Sequence, residues 1–125
     1  MILDTNALSA WADGDVGIEG VLRSASTMLI PVVVLGEFDF GIRQSRHYGR
    51  YADWLDANIA HVEVVAITRE IAHVYGVVRL ELKKAGRPIP INDTWIAAIV
   101  RHRGLPLVSR DIHFDAVEGL DRMSW

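Results

Sequence analysis

The chain contains no cysteine. That excludes a disulfide scaffold and any thiolate metal site, and it suits a reducing cytoplasmic compartment. It also lacks a long apolar run. The longest uncharged stretch, Ser24 to Gly36, has thirteen residues, short of the roughly 18 that a membrane span needs. No membrane segment is expected, and the apolar start at Met1 has no basic residues before it, so it does not read as a signal peptide. Cations are not in excess: the formal net charge is −3, which excludes a generally basic nucleic-acid binder. Lysine is scarce, with Lys83 and Lys84 against eleven arginines. Arginine favours bidentate contact with phosphate or carboxylate, although ordinary surface ion pairs would need the same residues. No internal repeat, low-complexity segment or linker is visible.

What is present fits one folded unit. At 125 residues, half of them hydrophobic and 23% charged, the chain is long enough for one core and too short for two. We therefore expect a single domain over residues 1–125. Ile2-Leu3 reads as a short strand that ends on Asp4, Thr5 and Asn6. Its apolar character suggests a central place in a parallel sheet. Short helices are expected over Ala7–Asp13 and from Ile18 to about Ser24, then a strand at Met28–Ile30. Pro31 suits a helix start, and Val32–Arg46 carries Leu35, Phe38 and Ile42 on one face. A second helix around Tyr51 and Leu55 completes a hairpin.

A Val-rich strand falls within His61–Ile67. Thr68 should cap a long helix with Ile71, Val74, Val78 and Leu82 at helical spacing, closed by Lys83, Lys84 and Gly86. Pro88 and Pro90 hold the next stretch extended. Asn92 or Asp93 caps a helix from Thr94 to Arg103, which stops at Gly104. Leu107-Val108 is a fourth strand ending near Asp111, and a last short strand lies within Leu120–Ser124. Strands and helices alternate throughout. That argues an α/β fold, a three-layer domain with a mostly parallel four- or five-stranded sheet flanked by helices.

Ligands of open α/β sheets sit beyond the carboxyl ends of the strands. Asp4 ends the first strand, Asp111 follows the fourth, Asp93 opens the helix before that strand, and Glu37 lies on the helix after the second. Each alone has an ordinary explanation: Asp93 a helix cap, Asp111 a turn residue, Glu37 a solvated helix acid. If they converge, their like charges need a counter-ion. An all-oxygen set selects Mg²⁺ or Mn²⁺ over Zn²⁺, and such ions hydrolyse phosphodiesters. Thr5, Asn6 and Ser109 are placed to orient a carboxylate or water, or to make local turn bonds.

These segments resemble one family. Ile2 to Asn6, Ile30 to Phe38, Gly86 to Ala98 and Ser109 to Phe114 are similar, in order, to the motifs of PIN-domain ribonucleases. Within them the chain looks like the VapC toxins of prokaryotic toxin–antitoxin pairs, as does the tail from Asp115 through Gly119-Leu120 to Trp125. The resemblance implies metal ligation by Asp4, Glu37, Asp93 and Asp111, with Asp115 as a fifth acid. It also implies a PIN-like fold, Mg²⁺ or Mn²⁺ as cofactor, an RNA substrate such as tRNA or rRNA, a homodimer, and a VapB-like antitoxin that covers the site.

Further candidates follow. Arg43, Arg46, Arg87 and Arg110 flank the acidic segments and are candidates for RNA contact. Trp11, Ile18, Leu22 and Phe38 are candidate anchors for an antitoxin in an apolar groove. His113 reads as a loop imidazole, and Trp95 as core packing. Rival readings fail on residues: a receiver domain needs a lysine at a strand end, and a haloacid-dehalogenase-like phosphatase needs an Asp where Asn6 stands. A PIN nuclease acting in RNA processing or DNA metabolism, or a catalytically silent PIN-fold binding domain, remains as the alternative.

Overall fold

Ile2 and Leu3 are wholly buried because the strand they form, β1 (Ile2–Leu3), has a hydrogen-bonded neighbour on each side. The computed structural model describes residues 1–125. Five strands form one sheet in the order β3-β2-β1-β4-β5, where β2 is Leu29–Pro31, β3 Glu63–Val65, β4 Leu107–Val108 and β5 Arg122–Met123. Every pairing is parallel, with Ile2 opposite both Leu29 and Leu107 and Leu3 opposite Val108. The strands are only two or three residues long. They serve to bring four chain turns to one edge.

Helices fill the connections. Between β1 and β2 run α1 (Thr5–Ala12) and α2 (Val16–Leu22), and between β2 and β3 run α3 (Val32–Arg43) and α4 (Tyr48–Asn58). The crossover from β3 to β4 carries α5 (Arg69–Lys84) and α6 (Ile91–Arg103). The first two connections step one way across the sheet and the third steps back. Right-handed crossovers then put the two groups on opposite faces. The core runs between them through Leu8, Ile18, Val34, Ile71, Val78, Ile96 and Ile99.

Side-chain caps explain three of the six α-helix starts. Asp4 accepts from the Ala7 amide, Asp15 from those of Gly17 and Ile18, and Thr68 from that of Ile71. Gly104, at φ 64°, closes α6 in the left-handed conformation, where a side chain would cost energy. Several boundaries differ from the sequence expectation. The first helix starts at Thr5 and not Ala7, and the second spans Val16–Leu22 and not Ile18 to about Ser24. The expected α3 reaches Arg46, but the helix stops at Arg43. The expected α6 begins at Thr94, but the helix starts three residues earlier, at Ile91 after Pro90, so that Asn92 and Asp93 lie inside its first turn and neither is its cap. Proline's fixed φ and missing N–H suit a helix start without any capping side chain.

Candidate functional site

Asp4 is 3% exposed, a buried carboxylate at the end of the central strand. One oxygen accepts from the Ala7 amide at 2.7 Å, and the other accepts the hydroxyl of Ser109, itself wholly buried. The Ser109 oxygen also accepts the Asp111 amide at 2.9 Å. One serine thus joins the end of β1 to the turn after β4. Burial raises the Asp4 carboxyl above its ordinary range, with a smaller push from Asp111, while the Ser109 and Ala7 bonds oppose the rise.

Glu37 reaches the same edge from α3. Thr5 donates to its Oε2 and the Asn92 amide to its Oε1, each at 2.5 Å. The sequence marks Asn92 only as a candidate helix cap; with α6 starting at Ile91 it is instead a partner of Glu37. Asp93 follows on α6. Its carboxyl is pushed up to about 6, first by burial, then by the charges of Asp111 and Glu37. His113 works against that rise, with Nδ1 3.1 Å from Asp111 Oδ1 and 3.7 Å from Asp93 Oδ2. The sequence reading gave His113 no role at the site. Its spacing from Asp111 was visible; its approach to Asp93 depends on the 3-10 turn at Ile112–Ala116, which Asp111 caps.

One ligand atom each from Asp93, Asp111 and His113 lies within 4.8 Å of the others. Two carboxylate oxygens and one imidazole nitrogen about 2.0–2.6 Å from a central ion span that separation. Asp4, linked to Asp111 through Ser109, and Glu37, which acts on Asp93 through its charge, complete a set whose repulsion a divalent cation would relieve. The residues therefore fit a hard divalent ion.

Other candidates stand elsewhere. Asp115 is no free fifth acid: both of its oxygens are bonded to Arg122, at 2.7 and 2.9 Å. Asn6 is exposed and lends Asp4 only its backbone, so its side chain does not orient the acids. Ile18 is wholly buried and Phe38 is 3% exposed. Ile18 packs inside the protein, its apolar face already covered, and cannot anchor a partner, whereas Phe38 packs inward but also lines the groove beside Glu37. Leu22 is 9% exposed and borders a surface depression with Trp11, Glu19 and Arg23. Trp11 packs edge-on against Trp54, with centroids 4.9 Å apart, and Trp95 stacks on Tyr75 at 3.8 Å.

Among the arginines, Arg43 is paired with Asp39 at 2.7 Å. Arg110 lies over the Trp125 ring, 4.3 Å from its centroid, and donates to the Trp125 carbonyl. Arg46 and Arg87 make no ion pair. A groove of about 300 Å³ leads away from Glu37, lined by Thr5, Ser9, Asp13, Phe38, Gly41 and Tyr51 among others.

The family model described as PIN domain matches residues 1–120. Ribonuclease VapC5 of Mycobacterium tuberculosis is 30% identical over 122 residues, covering 94% of this chain and 87% of the relative. The tRNA(fMet)-specific endonuclease VapC of Shigella flexneri is 30% identical over 99 residues, covering 78% and 75%. Among solved structures, the DNA-bound VapBC from Salmonella typhimurium matches with a TM-score of 0.88 at 26% identity, covering 99% of this chain and 96% of the other. VapBC2 from Rickettsia felis, bound to a promoter DNA fragment, matches in fold with a TM-score of 0.90 at 24% identity, over 99% and 97%.

Proposed function

The chain belongs to the PIN-domain family, and from that premise we propose that it is a metal-dependent endoribonuclease, the toxin of a type II toxin–antitoxin pair. The observation that carries this reading is the approach of Asp93 and Asp111 to within one ion's reach, beside the buried Asp4 and the tethered Glu37. Its ribonuclease relatives support RNA as the substrate class, with tRNA or rRNA as the RNA. The solved VapBC complexes support a VapB-like antitoxin as partner. No helix is long and apolar enough to cross a membrane.

In this reading Asp4, Glu37, Asp93 and Asp111 hold Mg²⁺ or Mn²⁺, which would supply the charge stabilisation and water activation that phosphodiester hydrolysis needs. The chain's own residues do the positioning. Ser109 holds the Asp4 carboxylate and the Asp111 backbone in one frame. Thr5 and Asn92 fix both oxygens of Glu37, so that its carboxylate enters the site in one orientation. His113, beside Asp93 and Asp111, can hold or pass a proton at Nδ1 as RNA binds and product leaves. We extend the reading to a homodimer joined through apolar helical surface, since Phe40 on α3 and Val77 and Leu80 on α5 are 66%, 42% and 51% exposed.

The test is cleavage of cellular RNA by purified protein, with end sequencing of the products. Chelation should stop cleavage and added Mn²⁺ should restore it. Glu37→Gln or Asp93→Asn should lower the rate by two orders of magnitude or more while the fold survives. A Glu37→Gln protein that cuts at the wild-type rate in Mg²⁺ would refute the four-acid site. Full turnover in excess chelator would refute the metal.

A further inference from the structure

With a net charge of −3 and an acidic centre, the protein repels RNA unless cations act locally. Ion pairs take up Arg23, Arg43, Arg101, Arg103, Arg110 and Arg122. Most of the remaining cations fall in one place. Arg79, Lys83, Lys84 and Arg87 lie at the end of α5 and just beyond it, where the acid among them, Glu81, is turned away to Arg101 at 2.9 Å. A helix C-terminus attracts cations on its own account, which explains Lys83 and Lys84. It does not explain Arg79, one turn earlier, which donates to the Tyr75 hydroxyl at 2.9 Å, or Arg87, past the helix, whose charge acts on Asp115.

Nor does it explain the slot that Arg79 and Lys83 edge. Arg79 and Lys83, four residues apart on one helix face, wall a depression of about 330 Å³ whose other lining includes Pro88, Ile89, Ile91 and Thr94. Ile91 is 46% exposed. The far wall is the first turn of α6, the same turn that carries Asn92, bound to Glu37, and Asp93. The slot and the acids are thus two sides of one helical turn.

We propose that this slot holds the RNA strand beside the scissile phosphate. Arg79 and Lys83 contact its phosphates, and one unstacked base lies on the Pro88, Ile89 and Ile91 surface. The proposal rests on the ribonuclease reading above. Charge complementarity selects a polyanion, and contacts to phosphate set position without reading sequence. The apolar floor selects nucleic acid with a base face to offer, and a base inside a duplex offers only its edge. An acidic protein segment could meet the cations, but it would have no base face to lay on the apolar floor.

The experiment uses a labelled, mixed-sequence single-stranded RNA oligonucleotide. Binding is followed by anisotropy on chelated protein across a salt series, and cleavage is followed with Mg²⁺ or Mn²⁺. Arg79→Gln combined with Lys83→Gln should weaken binding at least tenfold. It should also reduce the slope of log affinity against log salt by about 1.4, at about 0.7 per lost phosphate contact on a single strand. KM should rise while kcat holds, and Lys83→Arg should keep wild-type behaviour. Wild-type cleavage of RNA together with unchanged KM, affinity and salt slope in the double variant would overturn the slot alone. Loss of affinity for the antitoxin but not for RNA would make the slot a protein site and overturn it equally. Failure of the wild-type protein to bind or cut any RNA would overturn the ribonuclease reading, and the slot with it.

Discussion

Arg122 grips Asp115 with two nitrogens, Nε to Oδ1 at 2.7 Å and Nη2 to Oδ2 at 2.9 Å, and its Nη1 donates to the Ser109 carbonyl at 3.0 Å. The pair staples the last strand to the turn that carries Asp111. Ser109 is the hinge of the arrangement: its backbone is held by Arg122 and by the Met123 carbonyl, and its hydroxyl meets Asp4. Arg122 therefore acts on the acids through Ser109 without touching them.

Arg122→Gln should weaken metal binding and cleavage roughly 10- to 100-fold, the range found when outer partners of metal ligands are removed. Arg122→Lys should recover only part, because a single ammonium cannot fork to both Asp115 oxygens and still reach the Ser109 carbonyl. Calorimetric Mn²⁺ titration separates this effect from a loss of RNA affinity. Mn²⁺ affinity unchanged in Arg122→Gln would show that the staple plays no part in the site.

How much of this was legible in the sequence depends on the range of each interaction. Caps and turns are local, so Thr68 and Gly104 were readable as helix ends. The alternation of strand and helix was readable, and so was the central place of Ile2-Leu3, because residues buried on both faces must be apolar. Asp4, Asp93 and Asp111 could be picked out by their positions at strand ends and a helix start, and Glu37, inside α3, by the motif resemblance. Their partners could not. The bond from Asn92 to Glu37 spans 55 positions and depends on where α6 begins. The diversion of Asp115 to Arg122 depends on how β5 pairs with β4. Ile18 shows the opposite failure: apolar residues on short amphipathic helices look alike whether a partner or the core covers them.

Asp93 makes the metal-free protein sensitive to pH. Its folded-state carboxyl sits at about 6 against an ordinary 3.8, so between these values the folded state binds the extra proton. Stability from this group is fully present below about pH 4 and is lost as pH rises through about 6. The side chain is 17% exposed. After allowance for screening, the loss is on the order of 2 kcal/mol. Asp15 and Asp115 are shifted down, so their opposite contribution falls below about pH 4. Thermal unfolding in chelator should find Asp93→Asn more stable than wild type at pH 7, with the two converging toward pH 4. A constant difference across that window would mean that Asp93 carries no such penalty.

Association through the apolar helix faces can be tested without touching the acids. Phe40 and Val77 are exposed, on α3 and α5. If both lie in a dimer interface, replacing each by Glu places unpaired charge in a desolvated contact, which costs several kcal/mol. Sedimentation should then report dimer for wild type and monomer for Phe40→Glu/Val77→Glu at micromolar concentration. Monomer in both would remove the homodimer from the functional reading.

The groove beside Glu37 offers a way to separate the antitoxin from the RNA. It is acidic at both ends, at Glu37 and at Asp13, whose carboxylate accepts from the Tyr51 hydroxyl at 2.5 Å. A partner segment that carries Arg or Lys would suit it as a charge-assisted pair, whereas phosphate would not. Gly41 lines the groove, and a Cβ there meets nothing within 4 Å. A side chain at position 41 can therefore enter the groove without straining the helix. Gly41→Ala should stabilise the protein by roughly 0.5–1 kcal/mol, as expected for a glycine in a helix interior. Gly41→Phe should fill the groove, raise the antitoxin dissociation rate at least tenfold, and leave RNA cleavage intact, because the strand is assigned to the slot between α5 and α6. Cleavage and neutralisation lost together in Gly41→Phe would place RNA in this groove too. Neutralisation kept in full would mean that the partner reaches the acids by another route.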